Sequence, residues 1–276
     1  SYSNGSYLAQ SSSNWTTWSG AGSGTTEDVQ ITNASSNSGT NSIYFQGSSS
    51  ADGPTDILLP FGTGTPYTSG YFDFSANFYV ESSGTGAYFN FQEFTTPGSG
   101  WALDVGMSNG TINFGTYTGT WTSVYLSSTY PSNQWFELKM YIDLNTNSWS
   151  VYIDGVLQQG SPFVNTGSYQ IASLDLFPLQ SNKFYVDDVC YEYSTSPIGT
   201  YGCTDSTAIN YDSTATLDDG SCIYCSSLTA STTVIDESPT GASNGSIDLT
   251  VSGSACSTPL TFLWSNGATT EDIYNL

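Results

Sequence analysis

The chain reads Trp-Phe-Glu-Leu-Lys-Met-Tyr-Ile-Asp-Leu-Asn-Thr-Asn-Ser-Trp-Ser-Val-Tyr-Ile-Asp-Gly from Trp135 to Gly155. The first half alternates apolar and polar side chains, which places four apolar ones on one face of a β-strand: Phe136, Leu138, Met140 and Ile142. The alternation returns in Trp149-x-Val151-x-Ile153, and Asp154-Gly155 follows at once. Because Asp-Gly favours the type I′ turn of a twisted hairpin, this stretch predicts paired antiparallel strands.

The same two-residue period recurs on both sides of this stretch. It aligns another five apolar side chains: Phe72, Phe74, Ala76, Phe78 and Val80. Asn109-Gly110 separates Leu103-x-Val105-x-Met107 from Ile112-x-Phe114, which predicts a second hairpin. No stretch up to Tyr193 keeps a helical period. The pattern therefore predicts an all-β fold, an antiparallel jelly-roll sandwich with almost no helix.

Two segments resemble concanavalin A-like, laminin-G-like sandwiches. Trp135–Gly155 is similar to their strand, turn and Tyr-x-Asp-Gly signature, and Phe184–Val189 resembles the last strand, which pairs beside the first. Tyr88-Phe-Asn-Phe-Gln92 and Glu27-Asp28-Val29 look like positions of an N-terminal sandwich domain of secreted Bacteroidetes proteins. The resemblance implies a jelly roll over residues 1–195. Acidic residues bind Ca²⁺ in some members, so Asp187 and Asp188 are candidate ligands, or devices that keep an edge strand soluble.

The composition excludes several partners. The 276 residues include 24 acidic and 2 basic ones, without histidine, for a net charge of −22. Phosphates of nucleic acids and anionic membrane surfaces would find almost no cations to pair with. No apolar run approaches the length of a membrane span, so we expect no membrane insertion. Charged residues make up only 9% of the chain, which is not the signature of disorder.

A second region runs from residue 196 to 224 and contains a polar segment bracketed by Cys203 and Cys222. The segment is too small to bury a core, which predicts a disulfide between the two cysteines. It offers oxygen ligands only, a set suited to Ca²⁺, including four carboxylates: Asp205, Asp212, Asp218 and Asp219. The alternative is a disulfide-closed linker with solvated carboxylates.

Gly202–Tyr224 resembles a module of secreted Bacteroidetes proteins, Gly-Cys-Thr-Asp…Asp-Asp-Gly-Ser-Cys. The sequence departs from that module at Ser206 and Ser213, where proline is usual. Both changes create Asp-Ser-Thr, which resembles the O-glycosylation acceptor of that phylum. The resemblance therefore makes Ser206 and Ser213 candidate glycosylation sites.

The five cysteines indicate an oxidising compartment. Besides Cys203 and Cys222, Cys225 is a weaker candidate to pair with Cys256, which leaves Cys190 over. A leftover cysteine would be a buried free thiol or would pair with residues outside this sequence.

The last region, residues 225–276, resembles the repeat of the gliding-motility adhesin SprB. The similarity lies in Asn-Gly-Ser-Ile, from Asn244, and in Trp-Ser-Asn-Gly-Ala-Thr-Thr-Glu-Asp-Ile, from Trp264. In that family the repeat continues beyond the point reached here, so we expect the chain to be the N-terminal part of a longer protein. The resemblance implies export through the type IX secretion machinery and a role in attachment or gliding.

The residues that carry chemistry are few. Without histidine no Ser-His-Asp or Cys-His arrangement can form. A carboxylate-pair glycosidase of this fold would carry a Glu-x-Asp-x-x-Glu strand, whereas the candidate carboxylates are isolated in sequence: Glu93, Asp104, Glu137 and Asp143. We therefore predict that the chain is not an enzyme.

Tryptophans near polar loops are candidates to stack on sugar rings, unless they fill the core or its rim: Trp15, Trp18, Trp101, Trp121 and Trp149. The sequence thus predicts a non-catalytic, extracellular, cell-surface adhesin that binds glycans or other surfaces. A structural subunit that self-associates into a filament or sheath is the alternative, and a polysaccharide hydrolase is the third.

Overall fold

The computed structural model describes residues 2–20, 25–62, 64–81, 86–159, 162–165, 169–218, 220–224, 229–252 and 261–276. The chain divides into two compact units, Ser1–Ile198 and Gly199–Leu276. In the described residues the first unit contains one short helix and fifteen strands, and the second contains five strands. This confirms the predicted all-β class with almost no helix.

The elements of the first unit follow in chain order: α1 (Leu8–Ser11), β1 (Thr16–Thr17), β2 (Ile31–Thr32), β3 (Ser42–Gln46), β4 (Ile57–Pro60), β5 (Tyr71–Val80), β6 (Gly86–Gln92), β7 (Trp101–Ser108), β8 (Thr111–Tyr117), β9 (Trp121–Thr129), β10 (Trp135–Asp143), β11 (Ser148–Ile153), β12 (Val156–Leu157), β13 (Phe163–Val164), β14 (Ser173–Leu176) and β15 (Lys183–Ser194). Those of the second unit are β16 (Tyr201–Gly202), β17 (Leu217–Asp218), β18 (Thr229–Ile235), β19 (Ser246–Ser252) and β20 (Ile273–Tyr274).

Two antiparallel sheets form the first unit. One has seven strands in the order β1-β4-β14-β6-β7-β8-β9. The other has the order β12-β11-β10-β5-β15-β3-β2, with β13 paired to β11. The strand β15 lies between β3 and β5. The closing strand therefore returns beside early strands but not beside the first, because β1 belongs to the other sheet.

The core lies between the two sheets and is rich in phenylalanine. The side chains that alternate along β5, from Phe72 to Val80, are fully buried. From the opposite sheet, Phe89 and Phe91 on β6 meet them: Phe74 contacts Phe91 edge to face at 5.2 Å between ring centroids, and Phe78 stacks on Phe89 at 5.3 Å. Aromatic pairs of this geometry add to the free energy gained by burying apolar area.

Both predicted hairpins are confirmed. Asn109 and Gly110 have φ of 50° and 78°, and they join β7 to β8. Asp154 and Gly155, with φ of 49° and 76°, join β11 to β12. Positive φ at both central residues is the conformation of a type I′ turn, which asparagine, aspartate and glycine adopt at low cost.

The second unit contains the predicted disulfide, Cys203–Cys222, with 4.7 Å between the Cα atoms. Beside it, β16 and β17 form a short parallel pair. The remaining strands form an antiparallel sheet in the order β18-β19-β20.

No helix among the described residues has the length and apolarity needed to cross a lipid bilayer.

Replacing Phe74 by alanine should remove a ring packed between the sheets. We expect a loss of about 3–5 kcal/mol in the free energy of unfolding, measured by urea denaturation, because both the transfer free energy and a cavity contribute. The matched control is Ser75→Ala on the same strand, whose side chain points away from the core and should cost less than about 0.5 kcal/mol. Equal losses in the two variants would contradict the proposed packing.

Replacing both Cys203 and Cys222 by serine should loosen the segment between them. With a sequence separation of 19, the disulfide should contribute about 3 kcal/mol by restricting the unfolded segment. Chymotrypsin cleavage after the exposed Tyr211, followed by mass spectrometry, should become about a hundredfold faster in the variant. An unchanged rate would mean that the segment is held by other contacts.

Candidate functional site

A cleft of about 410 Å³ lies on the outer face of the seven-stranded sheet. Its floor is the polar side of the sheet, and its walls are aromatic. Its lining includes Trp18, Asp52, Asp56, Tyr88, Asn90, Trp101, Tyr117 and Asp175.

The alternation of β6 places the floor of the cleft. Because Phe89 and Phe91 point into the core, the side chains between and beside them point to the opposite face of the sheet. One of these is Asn90, which lies opposite Asp175 on β14 and opposite Asp104 on β7. The three residues thus form one polar row across three neighbouring strands.

Hydrogen bonds hold this row rigid. Asn90 donates from Nδ2 to Asp175 Oδ2 at 2.7 Å, and Gln92 donates from Nε2 to Asn90 Oδ1 at 2.5 Å. Asp104 accepts at both oxygens, from the Tyr88 hydroxyl and, at 2.8 Å, from the backbone amide of Tyr117. Because Asn90 donates from its nitrogen and accepts at its oxygen, the orientation of its amide is fixed.

Asp56 and Asp175 form a carboxyl pair in the cleft, close enough to hydrogen-bond to each other. Burial and the neighbouring carboxylate raise the pKa of Asp56 well above its usual range. Burial also raises the pKa of Asp175, and the hydrogen bonds from Asn90 and Asp56 oppose that rise. As ionised groups, the Oδ1 atoms of both residues would be buried without a donor among the described residues. A proton shared between the carboxyls removes this conflict at neutral pH.

Burial raises the pKa of two further groups near the polar row. The pKa of the Asp104 carboxyl is raised by desolvation, although the bonds from Tyr88 and Tyr117 oppose the rise. The pKa of Tyr88 is raised by desolvation and by the adjacent Asp104. Tyr88 therefore stays protonated and acts as a donor to Asp104.

Aromatic rings wall the cleft, and Trp101 at the start of β7 is 49% exposed. A second hollow of about 440 Å³ adjoins the cleft, shares Asp52 and Tyr88 with it, and is lined by Trp121. Tyr117 links the two, with its ring centroid 5.4 Å from that of Trp121. Together they form a groove across β6, β7 and β8.

Two glycines allow tryptophan rings to lie against the backbone. A Cβ atom on Gly106 would stand 2.7 Å from Trp121 Cζ2. On Gly98, whose φ is +76°, it would stand 2.9 Å from Trp18 Cζ2. Both distances are shorter than real Cβ contacts, so any larger residue would displace the ring.

The predicted sugar-stacking tryptophans have different positions. Trp18 and Trp101 line the cleft, and Trp121 lines the adjoining hollow. Trp15 lies apart, in a hollow lined by residues of β2, β3 and β15. Trp149 is fully buried in the core, where no ligand reaches it.

The described carboxylates of the Cys203–Cys222 segment accept local hydrogen bonds. Asp205 Oδ1 accepts from the backbone and hydroxyl of Thr207, and Asp212 Oδ1 does the same with Thr214. In the part of the chain that the structure describes, no three His, Cys, Asp or Glu residues are grouped to hold a metal. Asp218 Oδ1 accepts from the amide of Gly220, and Asp219 lies outside the described residues. Ca²⁺ binding here stays a prediction.

Asp187 and Asp188 are occupied by hydrogen bonds. Asp187 Oδ2 accepts from the backbone amides of Asn37 and Ser38 at 2.9 and 3.2 Å. Asp188 accepts from both of their side chains, at 3.0 Å from Asn37 Nδ2 and 2.5 Å from Ser38 Oγ. The two carboxylates thus fasten the 37–38 loop to β15, and their role as metal ligands stays a prediction.

The other predicted sites are placed as follows. Ser206 and Ser213 are exposed, and their glycosylation stays a prediction. Cys225 and Cys256 lie outside the described residues. Cys190 is a free, exposed thiol.

Sequence reasoning missed Asp56 and Asp175 as site residues, because strand pairing brings them together from distant segments. A usable signal existed in Tyr88–Gln92, where aromatic residues for one face alternate with polar ones for the other. Polar residues at alternate positions of a strand that is buried on both faces indicate that one face forms the floor of a functional cleft.

The fold and the cleft define a class, the all-β jelly-roll sandwiches that offer a ligand-sized groove on one sheet. No protein-family model and no curated protein sequence matches this chain. Several solved structures are similar to part of this chain. The alginate lyase AlgAT5 from Polysaccharide Lyase family 7 is 11% identical over 58% of this chain and 81% of its own, with a TM-score of 0.43.

Two other structures are similar to the same extent. The cellulose induced protein Cip1 is 14% identical, covering 62% of this chain and 87% of its own, with a TM-score of 0.44. The carbohydrate binding module CBM66 from Bacillus subtilis is 12% identical, covering 65% and 95%, with a TM-score of 0.38. At these identities and TM-scores the similarity supports no statement about function. The predicted antiparallel two-sheet sandwich is confirmed by the strand order of the chain itself.

The prediction that the chain is not an enzyme is wrong. Two of the structures similar to this chain are alginate lyases, and a fold does not by itself decide whether a protein is catalytic. The prediction rested on carboxylates that are isolated in sequence. Asp104, one of those, lies in the polar row with Asp175, because the strands β6, β7 and β14 are neighbours.

The raised pKa values of Asp56 and Asp175 predict a pH-dependent stability. A carboxyl with a raised folded pKa binds more protons in the folded than in the unfolded chain, so stability falls as pH rises from about 4 through the raised values. Asp56→Asn replaces the shared proton with a permanent donor to Asp175. Urea unfolding should show the variant gaining about 1 kcal/mol or more over the native chain between about pH 5 and pH 8.

The control is Asp52→Asn, the same substitution at an exposed carboxylate of the same cleft. It should leave the pH dependence of unfolding unchanged. Parallel pH profiles for the native chain and Asp56→Asn would rule out a shared proton.

Proposed function

We propose that this chain is an extracellular glycan-binding protein and that its ligand lies in the cleft of the seven-stranded sheet. The observation that carries the proposal is the half-exposed indole of Trp101 beside a rigid polar row with buried acceptor oxygens. Sugars present apolar ring faces that stack on aromatic side chains and hydroxyls that need fixed acceptors. The cleft offers both within one groove.

Electrostatics and rigidity support the same proposal. The bonds from Asn90 to Asp175 and from Tyr88 to Asp104 fix the floor before a ligand arrives. A preorganised site loses little conformational entropy when the ligand binds. The adjoining hollow with Trp121 would extend the groove to further sugar units.

The cellular setting of the proposal is the outside of a cell. The Cys203–Cys222 disulfide supports an oxidising compartment. The resemblance of residues 196–224 and 225–276 to modules of secreted Bacteroidetes proteins supports a surface adhesin exported by the type IX machinery. In this arrangement residues 1–195 would form the tip that contacts glycans, and the following regions would join it to a stalk.

A second candidate is a glycan-cleaving enzyme that uses the same cleft. The observation in its favour is the carboxyl pair, because a group that keeps its proton at neutral pH can act as a general acid. The two carboxyls are in direct contact, whereas a retaining glycosidase separates its pair by about 5 Å. Asp56 would protonate the glycosidic oxygen as its bond to the anomeric carbon breaks. A water would add to that carbon and return its proton to the ionised Asp56.

Replacing Trp101 by alanine should weaken glycan binding about tenfold, since one stacked indole contributes about 1–2 kcal/mol. Affinity electrophoresis through a panel of immobilised polysaccharides provides the measurement. The control is Tyr201→Ala, an aromatic residue of similar exposure in the second unit. Retardation by no polysaccharide, or equal retardation of both variants, would refute glycan binding at the cleft.

Incubating the chain with the same panel and measuring released reducing ends tests the second candidate. Turnover should fall at least about a hundredfold in Asp56→Asn if this carboxyl is the general acid. Asp52→Asn, the same substitution at another acidic residue of the cleft, should retain turnover. Binding without any turnover would leave the chain a binding protein.

A further inference from the structure

A third hollow adjoins the cleft at the Trp18 indole. It measures about 340 Å³ and shares Trp18 with the cleft. Leu58 of β4 and Ser173 of β14 line it. Both side chains lie on the outer face of the seven-stranded sheet, because the next residues along their strands, Leu59 and Leu174, are in the core. The third hollow therefore continues the groove on the same face of the sheet.

The three hollows follow one another across neighbouring strands and together form what we call the long groove. The third hollow lies over β4 and β14, the cleft over β14, β6 and β7, and the hollow with Trp121 over β6, β7 and β8. These strands are neighbours in the order β4-β14-β6-β7-β8, so the long groove crosses four strand spacings, or ~19 Å. An extended glycan advances by roughly one strand spacing, ~5 Å, with each sugar unit, so about four units would fill the long groove.

A tryptophan lines each part of the long groove. Trp18 stands where the third hollow meets the cleft, Trp101 lines the cleft, and Trp121 lines the far hollow. All three indoles are at least partly exposed. A glycine lies against one side of Trp18 and of Trp121, so the exposed part of each ring faces the groove. Rings repeated along a groove suit the repeated apolar faces of consecutive sugars, whereas a single sugar would need only one ring.

No basic side chain lines the long groove in the part of the chain that the structure describes. The two basic residues of the chain, Lys139 and Lys183, lie on β10 and β15 of the opposite sheet. Asp52 is exposed and lines both the cleft and the hollow with Trp121. An anionic sugar such as a uronate would meet this like charge without a cation to offset it. The far hollow offers uncharged amides instead, which can bond sugar hydroxyls: Asn113, Gln180 and Asn182.

We infer that the long groove binds the interior of a linear, uncharged glycan over about four consecutive units. This inference rests on the proposed function and specifies the length, the charge and the bound part of its ligand. The cleft opens into a further hollow on either side. A glycan can therefore enter the long groove at one end and leave it at the other, so its binding requires no chain end.

Titration calorimetry with neutral oligosaccharides of two to six units tests the length. The probes are cello-, manno-, xylo- and laminari-oligosaccharides. In the series that binds, the affinity should rise at least about tenfold from two units to four, because further indoles become stacked. Beyond the length of the long groove the affinity should level off.

Two variants at the far hollow connect this rise to the long groove. Trp121→Ala should remove the gain in affinity of the longer oligomers and leave the affinity for two units unchanged. Gly106→Ala should act in the same way, because its methyl group would displace the Trp121 ring. The matched control is Trp135→Ala, which removes a partly exposed indole from the opposite sheet and should keep the full rise. Loss of the rise in Trp135→Ala as well would overturn the inference.

A comparison of chain ends with sugar units tests whether the interior is bound. Partial hydrolysis of a retained neutral polysaccharide into fragments longer than the long groove multiplies its ends and leaves the number of units unchanged. The affinity, expressed per sugar unit, should stay the same. An affinity that rises in proportion to the number of ends would show that a chain end is bound and would overturn the inference.

The remaining outcomes distinguish the inference from the proposed function. Equal affinity for two and six units, weakened by Trp101→Ala, would overturn the inference while supporting a cleft for a short glycan. Tighter binding of a polyuronate than of any neutral polysaccharide would overturn the uncharged class, and so would retardation by a neutral polysaccharide whose six-unit oligomer does not bind overturn the length. Binding of no oligomer, together with no retardation by any polysaccharide, would overturn both the inference and the proposed function.

Discussion

The packing of Phe89 and Phe91 against Phe74 is the interaction on which the other features depend. It joins the two sheets and also decides which side of β6 faces outward. Because side chains alternate along a strand, fixing these rings in the core fixes Asn90 on the opposite face. A slip of one residue would exchange the two sets and destroy core and cleft together. The stability of the core and the formation of the cleft thus depend on the same strand register of β6.

The buried acidic residues of the cleft reduce the free energy of unfolding of the domain that carries them. Asp104 and Asp175 are almost fully buried, and the unfolded chain would leave them solvated and charged. For Asp104, the hydrogen bonds that it accepts from Tyr88 and Tyr117 offset the cost of desolvation. The Asp56 and Asp175 pair avoids the loss by sharing a proton, so the cost returns as pH rises and that proton dissociates.

Local signals were sufficient for the architecture but not for the site. The period of two in β5 and β10 and the turns at Asn109-Gly110 and Asp154-Gly155 depend on neighbouring residues alone, so sequence reasoning placed them. Asp56 and Asp175 meet through the pairing of β4 with β14, which no local pattern reveals. The tryptophans show the same limit, since Trp101 and Trp149 have similar sequence surroundings but one is exposed in the cleft and the other buried. Long-range packing, rather than propensity, separates them.

The two glycines beneath the tryptophan rings constrain how this groove can diversify during evolution. Gly98 with Trp18, and Gly106 with Trp121, are pairs in which one member occupies the volume that a side chain on the other would need. A single replacement of either glycine would push an indole out of place before any new contact could form. Changes in ligand preference along this wall should therefore arise through paired substitutions, and homologous sequences should vary at these positions together.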